Sequence, residues 1–160
     1  MIFVTVGANT PFDRLVRCVD EWAAARPDAE VVAQIGRTDY RPAHIRYTEM
    51  MSPGEFRETL ARASVVVAHA GMGTILSALE AGVPVLVMPR RAALREQRND
   101  HQLATSRRLG ERGLVRVAED ADALRARLDA LVGLPAPERI PSVAPPPLVR
   151  RLRAFIDGDG

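Results

Sequence analysis

Short apolar runs alternate with longer segments of helical periodicity along most of the chain. The first run, residues 2–6, is rich in β-branched residues and ends at Gly7, which is typical of a buried strand followed by a turn. Thr10 followed by Pro11 then predicts the start of a helix, because Thr is a good N-cap and Pro fits the first helical position.

The same alternation continues to residue 132. Ser52, Pro53 and Glu55 have the spacing of a capping box and predict where the second helix begins. Strands alternating with helices favour a parallel sheet with helices on both faces, so we predict an α/β fold, a Rossmann-like doubly wound sheet of about six strands. Further strands are predicted over residues 30–35, 45–48, 65–68, 83–88 and 114–117, and further helices over residues 74–81, 100–112 and 121–132.

The composition indicates one globular domain in 160 residues. We assign this domain to residues 1–133 and predict that the Pro-rich residues 134–160 form an extended strap and a C-terminal helix. All 22 basic residues are Arg, and against 20 acidic residues they leave a net charge of only +2. With an aromatic content of 4%, this charge argues against a nucleic-acid partner, which would need a basic face and stacking aromatics.

Neither a disulfide nor a membrane span is predicted. Cys18 has no partner for an internal disulfide, and the first residues lack the charged segment of a secretory signal, so we expect a cytoplasmic location. Residues 65–89 are nearly uncharged, but the His, Glu, Gly and Pro within them indicate a buried strand, turn, helix and strand rather than a transmembrane helix.

Two Gly-containing turns follow predicted strands and precede helices. One runs from His69 to Thr74, with Gly71, Met72 and Gly73 between them. Its backbone N–H groups, the Thr hydroxyl and the His ring are suited to binding a diphosphate, although a Gly-rich turn also serves tight packing. The other turn is Gly7, Ala8, Asn9 and Thr10, and parallel topology brings both turns to the same sheet edge.

A third polar segment follows the strand predicted over residues 83–88. Its carboxylate and amide side chains are suited to hydrogen bonds with sugar hydroxyls, and the alternative is an ordinary capped helix start. The residues concerned are Glu96, Asn99, Asp100, His101 and Gln102. The nearby Arg90, Arg91, Arg95 and Arg98 could instead pair with the carboxylate of a uronic acid, or lie on a solvated loop or partner contact. The three His residues are scattered and the DxD sequence from Asp157 to Asp159 lies at the very end of the chain, so we predict no metal site.

Together these motifs resemble the C-terminal domain of glycosyltransferase family 28. The order is a strand, HAGMGT, a helix, AGVP, a strand ending in MPR and then the DHQ cluster, with VTVG and PFDRLV at the start. The chain is similar to the small subunits of two-component bacterial exopolysaccharide glycosyltransferases and to their eukaryotic counterpart in dolichol-linked oligosaccharide synthesis. The resemblance covers roughly residues 1–117.

The resemblance implies a GT-B fold of which this chain supplies the half that binds a uridine diphosphate (UDP) sugar. By position, His69, Gly71, Gly73 and Thr74 would meet the diphosphate, with Asn9 and Thr10 across the cleft. Gln102, with Asp100 and His101, would meet the sugar hydroxyls. Larger family members carry a Glu at the position of Ser77, so the ribose contact falls to Ser77 or to Glu80 one turn later.

The resemblance also implies a sugar transfer with inversion. Helix N-termini and fixed donors aimed at the leaving diphosphate would stabilise its charge, so we expect no metal cofactor. His69 is the one candidate for the general base, and it is already assigned to the phosphates. The implied partner is a membrane-associated subunit that binds a lipid-linked saccharide acceptor and recruits the chain to the inner face of the cell membrane. Two alternatives stay open: a non-catalytic nucleotide-sugar-binding or activating subunit, and a protein related to sugar-nucleotide epimerases.

Overall fold

A six-stranded, all-parallel β-sheet forms the centre of the protein in the computed structural model, which describes residues 1–7 and 10–132. The strand order is β3-β2-β1-β4-β5-β6. This is the order of a Rossmann-like doubly wound sheet, and it confirms the predicted fold class. The strands are β1 Ile2–Thr5, β2 Val31–Gln34, β3 Arg46–Thr48, β4 Val65–His69, β5 Val85–Met88 and β6 Arg116–Val117.

Helices cover both faces of this sheet. They are α1 Asp13–Ala24, α2 Pro53–Arg62, α3 Met72–Glu80, α4 His101–Glu111 and α5 Ala121–Val132, with a short 3-10 turn over Ala92–Leu94. The predicted capping box at the start of α2 is confirmed: the Ser52 hydroxyl accepts from the Glu55 N–H, and the Glu55 carboxylate accepts from the Ser52 N–H. The predicted strap and helix over residues 134–160 lie outside the described residues.

Two hydrophobic cores lie on opposite faces of the sheet because successive strand residues point to opposite sides. Val4 and Val67 pack with α1 and α5 on one face, where Trp22 and Leu128 are buried. Phe3 packs on the other face with residues of α2, α3 and α4. Since both faces are covered, the central strands β1, β4 and β5 are buried and mostly apolar, whereas the edge strands β3 and β6 carry exposed Arg residues.

The predicted starts of two helices were wrong. We placed the start of α1 at Thr10 and Pro11, but α1 begins at Asp13 with Phe12 as the N-cap residue and no side-chain cap. The carbonyl groups of Thr10 and Pro11 accept hydrogen bonds from a distant Arg side chain, which keeps them out of the helix. In the other case α3 begins at Met72, two residues before the predicted Thr74.

The order of the strands reverses between β1 and β4. β1 pairs with β2 on one side and with β4 on the other. The connection after β1 therefore leads to one side of the sheet, and the connection after β4 leads to the other side. Ligands of such sheets bind at this point, beyond the carboxyl ends of the strands. The segments that follow β1, β4 and β5 all meet there.

Candidate functional site

Three loops enclose a cleft at the carboxyl edge of the sheet. We call them the β1 loop (residues 6–12, of which 8 and 9 are not described), the β4 loop (residues 69–71) and the β5 loop (residues 89–100). The cleft has a volume of about 590 Å³. Its walls are formed by Val6, Gly7, Thr10, His69, Arg90, Ala92, Arg95, Glu96, Gln97, Arg98 and Gln102.

Gly7 is held in place by its neighbours at the floor of the cleft. Its N–H donates to the Thr5 hydroxyl at 3.3 Å, and its carbonyl accepts from the Gln34 side-chain amide at 3.4 Å. The φ angle of +78° lies in the left-handed region, which Gly adopts without a steric penalty. A side chain at this position would also contact the ring of His69, because a Cβ atom would lie 2.8 Å from its Cε1.

The His69 ring fills the space between the β1 and β4 loops. A Cβ atom on Gly71 would lie only 2.1 Å from His69 Nε2, so a side chain at either Gly7 or Gly71 would overlap this ring. His69 Nδ1 is buried and has no hydrogen-bond partner among the described residues. A buried polar atom of this kind calls for a partner, which a bound ligand can supply.

His69 is neutral at physiological pH. Burial lowers its pKa from 6.5 to about 4, and the positive charge of Arg90 acts in the same direction. A neutral imidazole donates one hydrogen bond and accepts another, so it can bind a phosphate oxygen without contributing a formal charge.

The N-terminus of α3 opens beside the β4 loop. Gly71 is its N-cap residue, and Met72, Gly73 and Thr74 form the first turn. The first N–H groups of a helix have no partner within the helix, and the helix dipole favours negative charge at this end. A Cβ atom on Gly73 would meet nothing within 4 Å, so the surface above this turn is open.

Arg90 links the β5 loop to the β1 loop. Its side chain is buried, and its guanidinium group donates to the carbonyls of Pro11 at 2.7 Å, Thr10 at 2.6 Å and Val6 at 3.0 Å. The same group stacks on the Phe12 ring, with 4.8 Å between Arg90 Cζ and the ring centroid. This arrangement does not fit the predicted pairing of Arg90 with a sugar carboxylate, because its donors serve the backbone.

Glu96 links the β5 loop to the first turn of α1, directly after the β1 loop. Its carboxylate binds the guanidinium of Arg14 on α1 through two contacts of 2.7 and 2.9 Å, and also accepts from the Arg91 N–H at 2.9 Å. The negative charge of Glu96 is therefore paired within the protein. Gln102 Oε1 accepts from the Arg90 N–H at 3.1 Å, which fixes this amide on the wall of the cleft.

The structure brings part of the predicted set together. Gly7, Thr10, His69, Arg90, Glu96 and Gln102 line the cleft, and Gly71, Met72, Gly73 and Thr74 open α3 next to it. Asn9 lies outside the described residues. Ser77 and Glu80 follow further along α3 and are not on the cleft wall, so their ribose contact stays a prediction.

The DHQ cluster divides in the structure. Only Gln102 reaches the cleft wall. Asp100 accepts from the Ala92 N–H at 2.8 Å, and the exposed His101 contacts Asn99 and Gln97. The sugar contacts predicted for Asn99, Asp100 and His101 stay predictions, because these side chains lie at the start of α4 rather than in the cleft.

Sequence reasoning missed two residues that shape the site. Arg14 lies in the first amphipathic helix, where an Arg is normally taken for a solvated residue, and Gln34 ends an apolar strand. Their partners, Glu96 and Gly7, are 82 and 27 residues away in the sequence. No local pattern marks such distant contacts.

Among residues 1–7 and 10–132, no three His, Cys, Asp or Glu side chains form a group that could hold a metal ion.

The first prediction concerns the fit of the His69 ring against Gly71. Replacing Gly71 by Ala should lower the free energy of unfolding by about 1–3 kcal/mol, because the new methyl group overlaps the ring while the φ and ψ angles of −90° and 127° suit Ala. Gly73→Ala is the matched control and should not destabilise, since its methyl group enters open space in a helix. Urea unfolding measures both.

The cause of the Gly71→Ala effect can be isolated with a double variant. In a His69→Ala background the ring is gone, so Gly71→Ala should cost much less than in the native background. An equal cost in both backgrounds would show that the ring is not the obstacle.

The second prediction concerns the protonation of His69. Between about pH 6.5 and about pH 4 the unfolded chain takes up a proton that folded His69 excludes, so the free energy of unfolding should fall as the pH is lowered through this range. In a His69→Gln variant the fall should be shallower, and the difference between the two curves isolates this group. A folded-state imidazole that titrates near 6.5 by NMR would contradict the assignment.

Comparison with known proteins places this architecture in a family. The glycosyltransferase family 28 C-terminal domain matches residues 1–135. The human "UDP-N-acetylglucosamine transferase subunit ALG13" is 31% identical over 128 residues, which cover 70% of this chain and 10% of that protein. The chain thus spans about a tenth of the length of the curated relatives it matches.

Solved structures show the same fold. The glycotransferase of kitacinnamycin superimposes with a TM-score of 0.63 at 28% identity, covering 84% of this chain and 35% of that one. The solution structure of ALG13 has a TM-score of 0.64 at 22% identity and covers 94% and 93% of the two chains. These similarities, with the sheet order, confirm the predicted Rossmann-like half of a GT-B fold. The chain belongs to the glycosyltransferase family 28 C-terminal domain family.

Proposed function

We propose that this chain is the donor-binding, catalytic subunit of a heteromeric glycosyltransferase that moves a sugar from a UDP-sugar to a lipid-linked acceptor in polysaccharide biosynthesis. The observation that carries the proposal is the cleft at the point where the strand order reverses. There a helix N-terminus, the His69 ring and the Gln102 amide lie around one opening. Family membership supports the class of reaction.

The diphosphate of the donor would bind at the β4 loop. Free N–H groups in the first turn of α3 and the Thr74 hydroxyl can donate to its oxygens, and the His69 ring, whose Nε2 lies next to Gly71 at the start of α3, can form a further hydrogen bond. Gly7 lies on the other side of the His69 ring. Because it has no side chain, the space next to the ring is left free for the ligand. Gln102 lies on the wall of the same cleft, where its side-chain amide would contact the attached sugar.

The proposed reaction is a single displacement at the anomeric carbon of the sugar. An acceptor hydroxyl oxygen forms the new bond to this carbon while the bond to the β-phosphate oxygen breaks, and UDP leaves with that electron pair. The acceptor proton passes to a general base. Negative charge builds on the leaving diphosphate, so the fixed donors at α3 stabilise the transition state more than the ground state.

His69 is poorly suited to be that general base. An efficient base has a pKa near the working pH, whereas the pKa of His69 is lowered to about 4 and its ring is packed between two glycines. We therefore assign His69 to the diphosphate and place the base on the acceptor-binding partner. This division of labour also favours a heteromer.

The donor proposed for a first test is UDP-N-acetylglucosamine, because the human and mouse relatives are UDP-N-acetylglucosamine transferase subunits. A non-catalytic activating subunit would use the same cleft for binding alone. An epimerase-like protein is less well supported, since the family that matches the chain is one of transferases.

We further propose a cytoplasmic protein that its partner recruits to the inner face of the cell membrane. No helix within the described residues is long and apolar enough to cross a bilayer. In this proposal the partner subunit presents the lipid-linked acceptor and forms the other side of the active site.

The third prediction is that UDP raises the melting temperature of the chain. A ligand that binds only the folded state stabilises it by RT ln(1 + [L]/Kd), about 2.7 kcal/mol at a hundredfold excess over Kd. ADP and GDP at equal concentration should give smaller shifts. Thr74→Val should reduce the UDP shift, whereas Thr59→Val on α2 is the control and should not. An unchanged melting temperature at saturating UDP would rule out the donor site.

The fourth prediction is that the chain alone transfers little or no sugar. Co-expression with the proposed membrane-associated partner subunit should bring the chain into the membrane fraction and produce transfer from UDP-N-acetylglucosamine to lipid extracts. A Gly71→Ala variant of the chain should co-purify with the partner but transfer more slowly, because the altered loop is the proposed diphosphate site. Full activity of the lone chain would refute the two-subunit arrangement.

A further inference from the structure

Some charged groups around the cleft are paired within the protein and others are not. His69 is neutral, and the α3 N-terminus offers partial charges only. Glu96, which lines the cleft, is paired with Arg14 at 2.7 Å. None of the groups assigned so far to the phosphate therefore carries a formal positive charge, although a nucleoside diphosphate brings several negative ones.

Two of the four Arg residues of the β5 loop serve the fold. Arg90 donates to three backbone carbonyls of the β1 loop, as described above. Arg91 donates to the carbonyl of Glu119 at 2.7 Å, which ties the β5 loop to the segment after β6. The Arg90 guanidinium is thus occupied by the backbone, and Arg91 is not among the residues that line the cleft.

The other two Arg residues face the cleft. Arg95 and Arg98 both line its wall and are exposed to solvent. Within the described part of the chain, neither side chain takes part in a salt bridge or a side-chain hydrogen bond, in contrast to Arg14, Arg90 and Arg91. Arg95 sits at a φ angle of +56°, at the end of the 3-10 turn, an uncommon conformation for a residue other than Gly.

We propose that Arg95 and Arg98 form an anion subsite that neutralises the diphosphate of the donor. The proposal rests on the donor-binding function proposed above and assigns the charged part of that site. Guanidinium groups bind phosphate oxygens through paired, charge-assisted hydrogen bonds. Every nucleotide sugar carries a diphosphate, whereas a sugar carboxylate is present only on uronic acids. The diphosphate is therefore the occupant that this pair of charges fits best.

The subsite would act in both binding and transfer. UDP gains negative charge as the bond to the sugar breaks, and positive charge beside it lowers the energy of that state. Because Arg90 and Glu96 anchor the β5 loop to the β1 loop and to α1, the two Arg residues extend from a loop that is held in place.

The test compares two variants of equal charge change. Arg95→Gln/Arg98→Gln removes the subsite, and the control Arg57→Gln/Arg62→Gln removes two exposed charges from α2, whose C-terminus lies at the opposite edge of the sheet. Dissociation constants for UDP and uridine are measured by calorimetry and NMR at low and high salt. The subsite variant should bind UDP about tenfold more weakly than the wild type, with uridine binding unchanged and with a smaller salt dependence.

Each other result has a defined meaning. Equal UDP affinity in the subsite variant and the wild type would overturn the proposal while leaving the donor site intact. An unchanged UDP affinity with a lost preference for UDP-glucuronate over UDP-glucose would overturn it in favour of a sugar-carboxylate role. If the control variant weakened UDP binding equally, the effect would come from net charge alone and the proposal would be overturned. A wild type that does not bind UDP would refute the donor-binding function itself.

Discussion

The buried Arg90 guanidinium and the three carbonyls it binds hold the functional edge of this protein together. β4 lies between β1 and β5, so the loops that follow the outer two strands could diverge around it. Arg90 spans this gap and stacks on Phe12, and Glu96 binds Arg14 alongside. Because a buried charge is costly unless all its partners are present, the two loops have one favoured arrangement. The cleft and the environment of His69 follow from it.

The chemistry of the cleft depends on what these structural contacts leave unused. Burial and the charge of Arg90 keep His69 neutral, which makes it a hydrogen-bonding group rather than a cation or an efficient base. Glu96 is neutralised by Arg14. The groups left for a ligand are the N–H groups at the start of α3, the His69 ring with its unpartnered Nδ1, and the solvent-exposed side chains of Arg95 and Arg98. This set is suited to an anion with a sugar attached, and less suited to acid–base chemistry.

Membership of the family 28 C-terminal domain is consistent with the parallel sheet and with a cleft at its carboxyl edge. The solved glycosyltransferase with 28% identity aligns over 35% of its own length, as expected for one half of a GT-B fold. A GT-B active site lies between two Rossmann-like halves, and the described residues form one of them. In the function proposed above, the partner subunit contributes acceptor binding and the general base.

The sequence by itself determined the strands, the helices and their order. Apolar periodicity, the capping box at Ser52 and the HAGMGT turn are local signals, each set by residues within one turn or strand. Only the tertiary structure decided that α1 starts at Asp13, that Gly71 makes room for the His69 ring and that Arg90 serves the backbone while Arg95 and Arg98 face the cleft. The contacts of Arg90 with the β1 loop join residues about 80 positions apart, and of four similar Arg residues the sequence cannot tell which one the fold buries. That choice depends on which loops the parallel sheet brings together at its edge.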